Sequence, residues 1–284
     1  MKLGLALSGG GIRGIAHAGA LKALEDNQIK IDVIGGTSSG ALIASLYALG
    51  YSPYYIYILF KRYSKDIVGI NSAPIISGIG NLVKNKKVAI TGLKTWNNIE
   101  EAYNDLALRK GVKSIQDIKN MPLVIPAVDV GEAKEYIFTN RIPEDSQDKS
   151  QYITDISIGK AVRASSSFPA VFCPCEYNKH KFFDGGVLDN IPVSEVKKQG
   201  ADKIIAVNFK ADDIDTNSNM MDLAMRTIDI MGNKISEENL EKSDFILTVK
   251  TDKTGLLDVE NLDSCYQYGY EAVTQNLDKI KAIL

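Results

Sequence analysis

The sequence predicts an α/β protein built on a parallel sheet. Three observations carry this. Two short apolar runs, Leu3 to Leu7 and Ile31 to Gly35, each end in glycine and give way to a helical pattern. Strand, helix, strand, helix is the opening of a parallel sheet. A hydrophobic fraction of 45% over 284 residues supplies an extended core. No linker, repeat or low-complexity block divides residues 1–284, so one domain is the economical reading.

In order along the chain, Leu3 to Leu7 feeds a glycine turn and a helix over 14–26. The strand over 31–35 turns at Ser38 into a helix over 39–49, stopped by Gly50. "SPYYIYILFKRYSKD" predicts a helix with Ser52 as N-cap and Pro53 at its first position. The glycine-rich "GINSAPIISGIGNLVKNKK" (69–87) reads as a flap, and "NNIEEAYNDLALRKG" as a helix. "LVIPAVDV" and "KEYIFTN" read as strands, followed by the polar loop "RIPEDSQDKS". Helices are expected over 155–166, 192–199, 219–242 and 265–282, and strands at "KIIAVNF" and "FILTV".

Composition narrows the function classes. A net charge of -2, from 33 basic and 35 acidic residues, gives no field that would gather nucleic acid or an anionic membrane. The three cysteines, Cys173, Cys175 and Cys265, are too few and too poorly spaced for a disulfide framework or a zinc site and read as buried thiols. "MKLGLALSGGG" has too short an apolar run for a signal peptide, and no stretch approaches the roughly eighteen apolar residues of a membrane span. A cytoplasmic protein is expected, one that meets any lipid locally.

"SGGGIRG" places Gly9, Gly11 and Gly14 in a G-x-G-x-x-G spacing between strand and helix, the context of a dinucleotide fingerprint. The acid that should close the second strand is misplaced, since Asp32 lies at its beginning. The other use of such a loop is to aim backbone N–H groups at negative charge developing in a reaction. That use needs a nucleophile nearby. In Gly36-Thr37-Ser38-Ser39-Gly40 a serine stands between glycines at a strand-to-helix turn, where strand and helix pass so closely that the flanking residues must be small. Adjacent parallel strands end at one edge of the sheet, so the loop and Ser38 should meet. Ser39 reads as helix cap or first turn. A serine needs a base, and the chain has only His17 and His180. His17 lies in a small-residue helix and reads as a packing residue, while His180 lies in the polar run "YNKHK", read as a hairpin turn.

"LALSGGGIRG", "GGTSSGA", "ASSSFPAVFCP" and "FFDGGVLDNIPV", in that order, resemble the patatin-like phospholipases, especially short bacterial members that are little more than the catalytic domain. The likeness runs from about Lys2 to "FILTV", with motifs within 3–209, and "YGYEAV" in the predicted C-terminal helix is also similar. It implies a three-layer αβα domain with a mostly parallel central sheet, hydrolysis of fatty-acyl esters in lipids, and a serine–aspartate pair in place of a triad. On this resemblance Ser38 is the nucleophile and Asp184 the base. Gly9, Gly10, Gly11, Arg13 and Gly14 form the oxyanion loop, and Gly36, Gly40, Gly185 and Gly186 support the motifs. Ser8 stands where many members have aspartate, and "DGG" where others have "DGA".

Read from its neighbours alone, Asp184 follows apolar "KFF" and precedes two glycines, so it ends a strand in a turn, where capping is the plain alternative to a base. A carboxylate is a weak base against a serine hydroxyl, so the site is expected to be dry. No metal or organic cofactor is expected, because serine attack needs none. The partner expected is an acyl lipid, met at a membrane surface, and no nucleic acid. Tyr54, Tyr55, Tyr57, Ile58 and Phe60, beside Lys61, Arg62 and Lys65, either dip into a lipid interface or pack on the sheet. Met220, Met221, Met225 and Met231 either line an acyl groove or fill core. A patatin-like domain serving as a binding or regulatory module and a nucleotide-binding oxidoreductase are the competing classes.

Overall fold

The computed structural model describes residues 1–67, 97–169, 171–209, 220–251, 254–255 and 258–284. The first half of the chain runs β1 (Leu3–Leu7), a 3-10 turn (Gly11–Gly14), α1 (Ile15–Asp26), β2 (Val33–Gly36), α2 (Ser39–Ala48), α3 (Pro53–Ile67), α4 (Asn97–Arg109), β3 (Leu123–Asp129) and β4 (Lys134–Thr139). There follow β5 (Tyr152–Ile153), α5 (Ile158–Ser165), β6 (Cys175–Tyr177), β7 (His180–Asp184), α6 (Val193–Lys198), β8 (Lys203–Phe209), α7 (Met220–Leu240), β9 (Phe245–Val249), α8 (Leu262–Gln275) and α9 (Leu277–Ala282). The flap read at 69–87 lies outside the described residues.

Among the described residues the strands form one nine-stranded sheet with β1 near its middle, in the order β5-β4-β3-β2-β1-β8-β9, with β7 joined to β3 and β6 to β7. The pairs β1–β2, β1–β8, β2–β3, β4–β5 and β8–β9 are parallel. Alternation along β1 divides the core into two layers. Leu3, Leu5 and Leu7 bury into a large cluster with α1, α2, α3 and α8, while Ala6 joins Val193 and Val196 of α6 on the opposite face. This is the mostly parallel sheet flanked by helices that the sequence predicts.

Three pairings are antiparallel, and one of them builds the site. β3 pairs on one edge with β2 only through Leu123 and Val124. Farther along, Ala127, Val128 and Asp129 pair with Asp184, Phe183 and Phe182 of β7. β4 runs antiparallel along Val124 to Asp129, and because a strand has only two edges, β7 occupies the line that β2 has vacated. It runs toward β2 head-on. The end of β2 and the end of β7 therefore meet above Val124 to Ala127.

Two contacts hold the supporting helices. α8 crosses α1 so closely that a Cβ on Gly269 would stand 1.8 Å from the Ala16 carbonyl oxygen, and one on Gly19 1.9 Å from that of Tyr266. The "YGYEAV" segment is thus the brace of the helix that follows the glycine loop. α3 buries Ile56, Leu59 and Phe60 but leaves Tyr54, Tyr55 and Ile58 exposed, and Tyr57 donates to Asp263 of α8 at 2.7 Å. The packing face and the exposed aromatic face belong to one amphipathic helix. Met231 is 57% exposed and fills no core. No described helix is long and apolar enough to cross a membrane.

The differences from the expected elements are local. β5 and β6, of two and three residues, carry too little pattern to be read from sequence. The helix expected over 265–282 is two helices meeting at Asn276. His180 opens β7 rather than sitting in the hairpin turn, which Asn178 makes with φ 53°.

Candidate active site

Ser38 stands between β2 and α2 with φ 54° and ψ -120°, a strained conformation for a residue other than glycine. Thr37 is pinned on both sides of the turn: its N–H donates to the Leu7 carbonyl at 3.1 Å and its Oγ1 to the Asp189 carbonyl at 2.9 Å. A Cβ on Gly36 would lie 2.3 Å from the Gly40 carbonyl oxygen, and one on Gly40 2.4 Å from that of Leu7. The two flanking glycines are therefore a steric requirement of this turn. Thr37, Ser39 and Gly40 are buried while Ser38 is partly exposed, so only the middle hydroxyl faces outward, at the N-terminus of α2. Ser39 lies in the first turn of α2, as expected.

Asp184 arrives at the same place from β7 and is 2% exposed. Its Oδ1 accepts from the Gly186 N–H at 2.8 Å, and its own N–H donates to the Ser167 carbonyl at 3.1 Å. Burial pushes its pKa up to about 7, against weaker pulls downward from the Ser38 hydroxyl and the Gly186 N–H. Oδ2 makes no hydrogen bond of full geometry. The Ser38 hydroxyl is thus among the groups that favour the ionised form of this carboxyl. Gly185 passes over β3, where a Cβ would stand 2.5 Å from the Pro126 carbonyl oxygen.

The glycine loop forms the third side. Gly9 runs beside Ser38, since a Cβ on it would come within 3.2 Å of the serine Cβ and 2.5 Å of Asn190 Oδ1. Its N–H is used up, donating to the Asn190 carbonyl at 3.0 Å. The N–H groups of Gly10 and Gly11 have no acceptor among the described residues. Gly11 has φ 58°, so the backbone there takes a left-handed turn. Arg13 is buried, and its Nε donates to the Gly10 carbonyl at 3.3 Å while the guanidinium lies over the Phe209 ring. Because the peptide is planar and trans, drawing the Gly10 carbonyl toward Arg13 aims the Gly11 N–H the opposite way. Arg13 thus orients the loop. Gly14 lets the loop lie against α2, a Cβ there meeting that of Ser39 at 2.4 Å.

A Cβ on Gly10 would stand 2.5 Å from Cδ2 and Cε2 of Phe209, a ring wedged between Arg13 and His17. Gly10→Val should therefore displace the loop and lower kcat about a hundredfold or more while the protein still folds, measured by ester turnover and circular dichroism. A folded variant with unchanged kcat would remove the loop from the chemistry.

Neither histidine reaches this place as a base. His17 is fully buried, and its Nε2–H donates to the Ser8 carbonyl at 2.8 Å. Burial drives its pKa down to about 4, so it is neutral and braces the loop from below. His180 pairs through Nδ1 with Asp129 Oδ2 at 2.6 Å, four residues from Asp184 along β7 and so about 13 Å away. Asp32, the acid a dinucleotide site would need, pairs with Lys30 and accepts from the Leu3 N–H at the opposite edge of the sheet. Among the described residues no three His, Cys, Asp or Glu side chains stand together as metal ligands.

A profile of the patatin-like phospholipase family matches residues 5–197, which hold the loop, the serine turn and Asp184. The chain belongs to the patatin-like phospholipase family. That family comprises hydrolases of lipid esters. The chain is 33% identical over 222 residues to a lysophospholipase NTE1 of Scheffersomyces stipitis, an alignment covering 78% of this chain and 12% of the yeast protein. It is 29% identical over 214 residues to a probable lipid hydrolase, 463L, of invertebrate iridescent virus 6, covering 72% of this chain and 68% of that one. VipD of Legionella pneumophila shares the patatin-like fold at a TM-score of 0.53 and 17% identity, covering 98% of this chain and 67% of that structure. The chain spans about an eighth of the yeast relatives' length.

Two parts of this patatin-like site went unassigned in the sequence. Asn190 ties the loop to the Asp184 turn, its carbonyl holding Gly9 and its Oδ1 lying against both Gly9 and Gly186. Its Nδ2 donates to Asn233 Oδ1 of α7 at 2.8 Å. Ser165 accepts the Ser38 N–H at 3.1 Å. Both lie in the motif blocks that carried the resemblance, "FFDGGVLDNIPV" and "ASSSFPAVFCP", and their place there was the available signal.

Proposed function

We propose that this chain is a serine lipid acyl hydrolase that cleaves fatty-acyl esters with Ser38 as nucleophile and Asp184 as base. The observation that carries the reading is the head-on approach of β2 and β7 along β3, which brings a strained, outward serine to a dry carboxyl under a glycine loop. Ser38 Oγ attacks the acyl carbonyl carbon as its proton passes to Asp184, and the oxyanion is met by the N–H groups of Gly10 and Gly11. Asp184 returns the proton to the leaving alcohol. Water then attacks the acyl-enzyme with Asp184 again as base, releasing the fatty acid and restoring Ser38.

The named relatives make a lysophospholipid the substrate class we propose. Incubation with a mixed lipid extract, followed by mass spectrometry, should show free fatty acid and glycerophosphodiester appearing as lysophospholipids disappear. Lysophospholipids left intact while other esters or thioesters are consumed would contradict this choice. The chemistry asks for no metal, so a chelator should leave the rate unchanged. Strands drawn from Leu3 through Val249 into one sheet support one domain over 1–284. The exposed face of Tyr54, Tyr55 and Ile58 supports an encounter with lipid at a membrane surface.

A further inference from the structure

The turn that closes α5 touches both members of the proposed pair. Ser165, the last residue of α5, is fully buried, and its Oγ accepts the Ser38 N–H at 3.1 Å. Two residues on, the Ser167 carbonyl accepts the Asp184 N–H at 3.1 Å. The turn between them is internally fastened: Ser167 Oγ donates to the Arg163 carbonyl at 2.8 Å, and the Phe168 N–H to that of Ser166 at 2.8 Å. Its helix is anchored too. Gly159 N–H donates to Asn104 Oδ1 at 2.9 Å, and Arg163 pairs with Glu100 at 2.8 Å, both on α4. One hydrogen-bonded turn, anchored on α4, thus holds the backbone N–H groups of both Ser38 and Asp184.

We propose that Ser165 is a positioning residue that holds the nucleophile turn in its strained conformation. The inference rests on the Ser38–Asp184 reading of the site. At φ 54° the Ser38 N–H has left the β2 ladder, and the Ser165 hydroxyl is the acceptor it meets. A partly buried N–H without an acceptor favours a backbone rotation that finds one. Such a rotation swings Ser38 Oγ away from Asp184 and the loop. Ser165 touches no substrate, so its loss should appear in kcat and hardly in KM.

The test compares Ser165→Ala, Ser165→Cys and Ser165→Thr with Ser45→Ala, which deletes an equally buried hydroxyl of α2 that bonds only the Leu42 carbonyl. Ester turnover, the rate of fluorophosphonate labelling and melting temperature are measured on the full chain. Ser165→Ala and Ser165→Cys should lose about tenfold to a hundredfold in kcat and in labelling rate, with KM within about twofold. Ser165→Thr, which keeps the acceptor, should recover most of that loss, and Ser45→Ala should stay near wild type. If Ser165→Ala does not fold, Ser165→Cys, which keeps the volume but not a good acceptor, decides. Wild-type kcat in Ser165→Ala or Ser165→Cys, with Ser38→Ala dead, overturns the positioning role and leaves the pair standing. An equal loss in Ser45→Ala also overturns it. Turnover that survives Ser38→Ala removes both readings.

Discussion

Asp184→Asn should lose at least about 10² to 10⁴ in kcat, the range of general-base assistance, and more if the loss couples to the nucleophile. The His17→Gln, His180→Asn double variant should change kcat far less. The contrast follows from placement: Asp184 is buried beside Ser38, His17 spends its Nε2–H on the Ser8 carbonyl, and His180 is paired with Asp129. Loss of folding is not the expected cause. A carboxyl whose pKa rises from 3.8 to about 7 on folding binds its proton more tightly in the folded state. Its contribution to stability therefore falls as pH rises between those values and stays low above them. Asparagine removes that buried charge while still accepting from Gly186, so Asp184→Asn should melt no lower than wild type at pH about 8. Inactive histidine variants with an active Asp184→Asn would make the base a histidine.

Ser38→Ala should abolish turnover and all labelling by a fluorophosphonate, whereas Ser39→Ala should still label. Both serines sit between the same glycines, but they face different ways. Ser39 is 2% exposed, and its Oγ is buried in the first turn of α2. Ser38 is partly open and holds the left-handed φ of the turn. Mass spectrometry of the labelled peptide locates the adduct. An adduct on Ser39, or ester hydrolysis with no adduct anywhere, would sink the assignment.

The serine turn and the glycine loop were legible in the sequence because both are local: their residues touch neighbours a few positions away, and crowding there admits only glycine. Asp184 was legible as a strand end, and its role came from the resemblance. What gathers the three is not local. The antiparallel entry of β7 along the line of β2 depends on pairing between residues 127–129 and 182–184, and no periodicity in either segment encodes it. The same holds for Ser165, which reaches Ser38 across 127 positions, and for Asn190, which links loop, Asp184 turn and α7. β5 and β6 were missed because two or three residues of mixed burial carry no period. Burial, which sets the pKa of Asp184, is likewise a product of the assembled layers.

In the proposed mechanism a buried aspartate, without a histidine, takes the proton of Ser38. The pH dependence of kcat/KM, measured in wild type and in the chain lacking both histidines, tests it most directly. Asp184 must be ionised to act, so activity should fall as the medium is acidified, with a midpoint near 7 in both proteins. An acid limb present in wild type that disappears with His17 and His180 would contradict it.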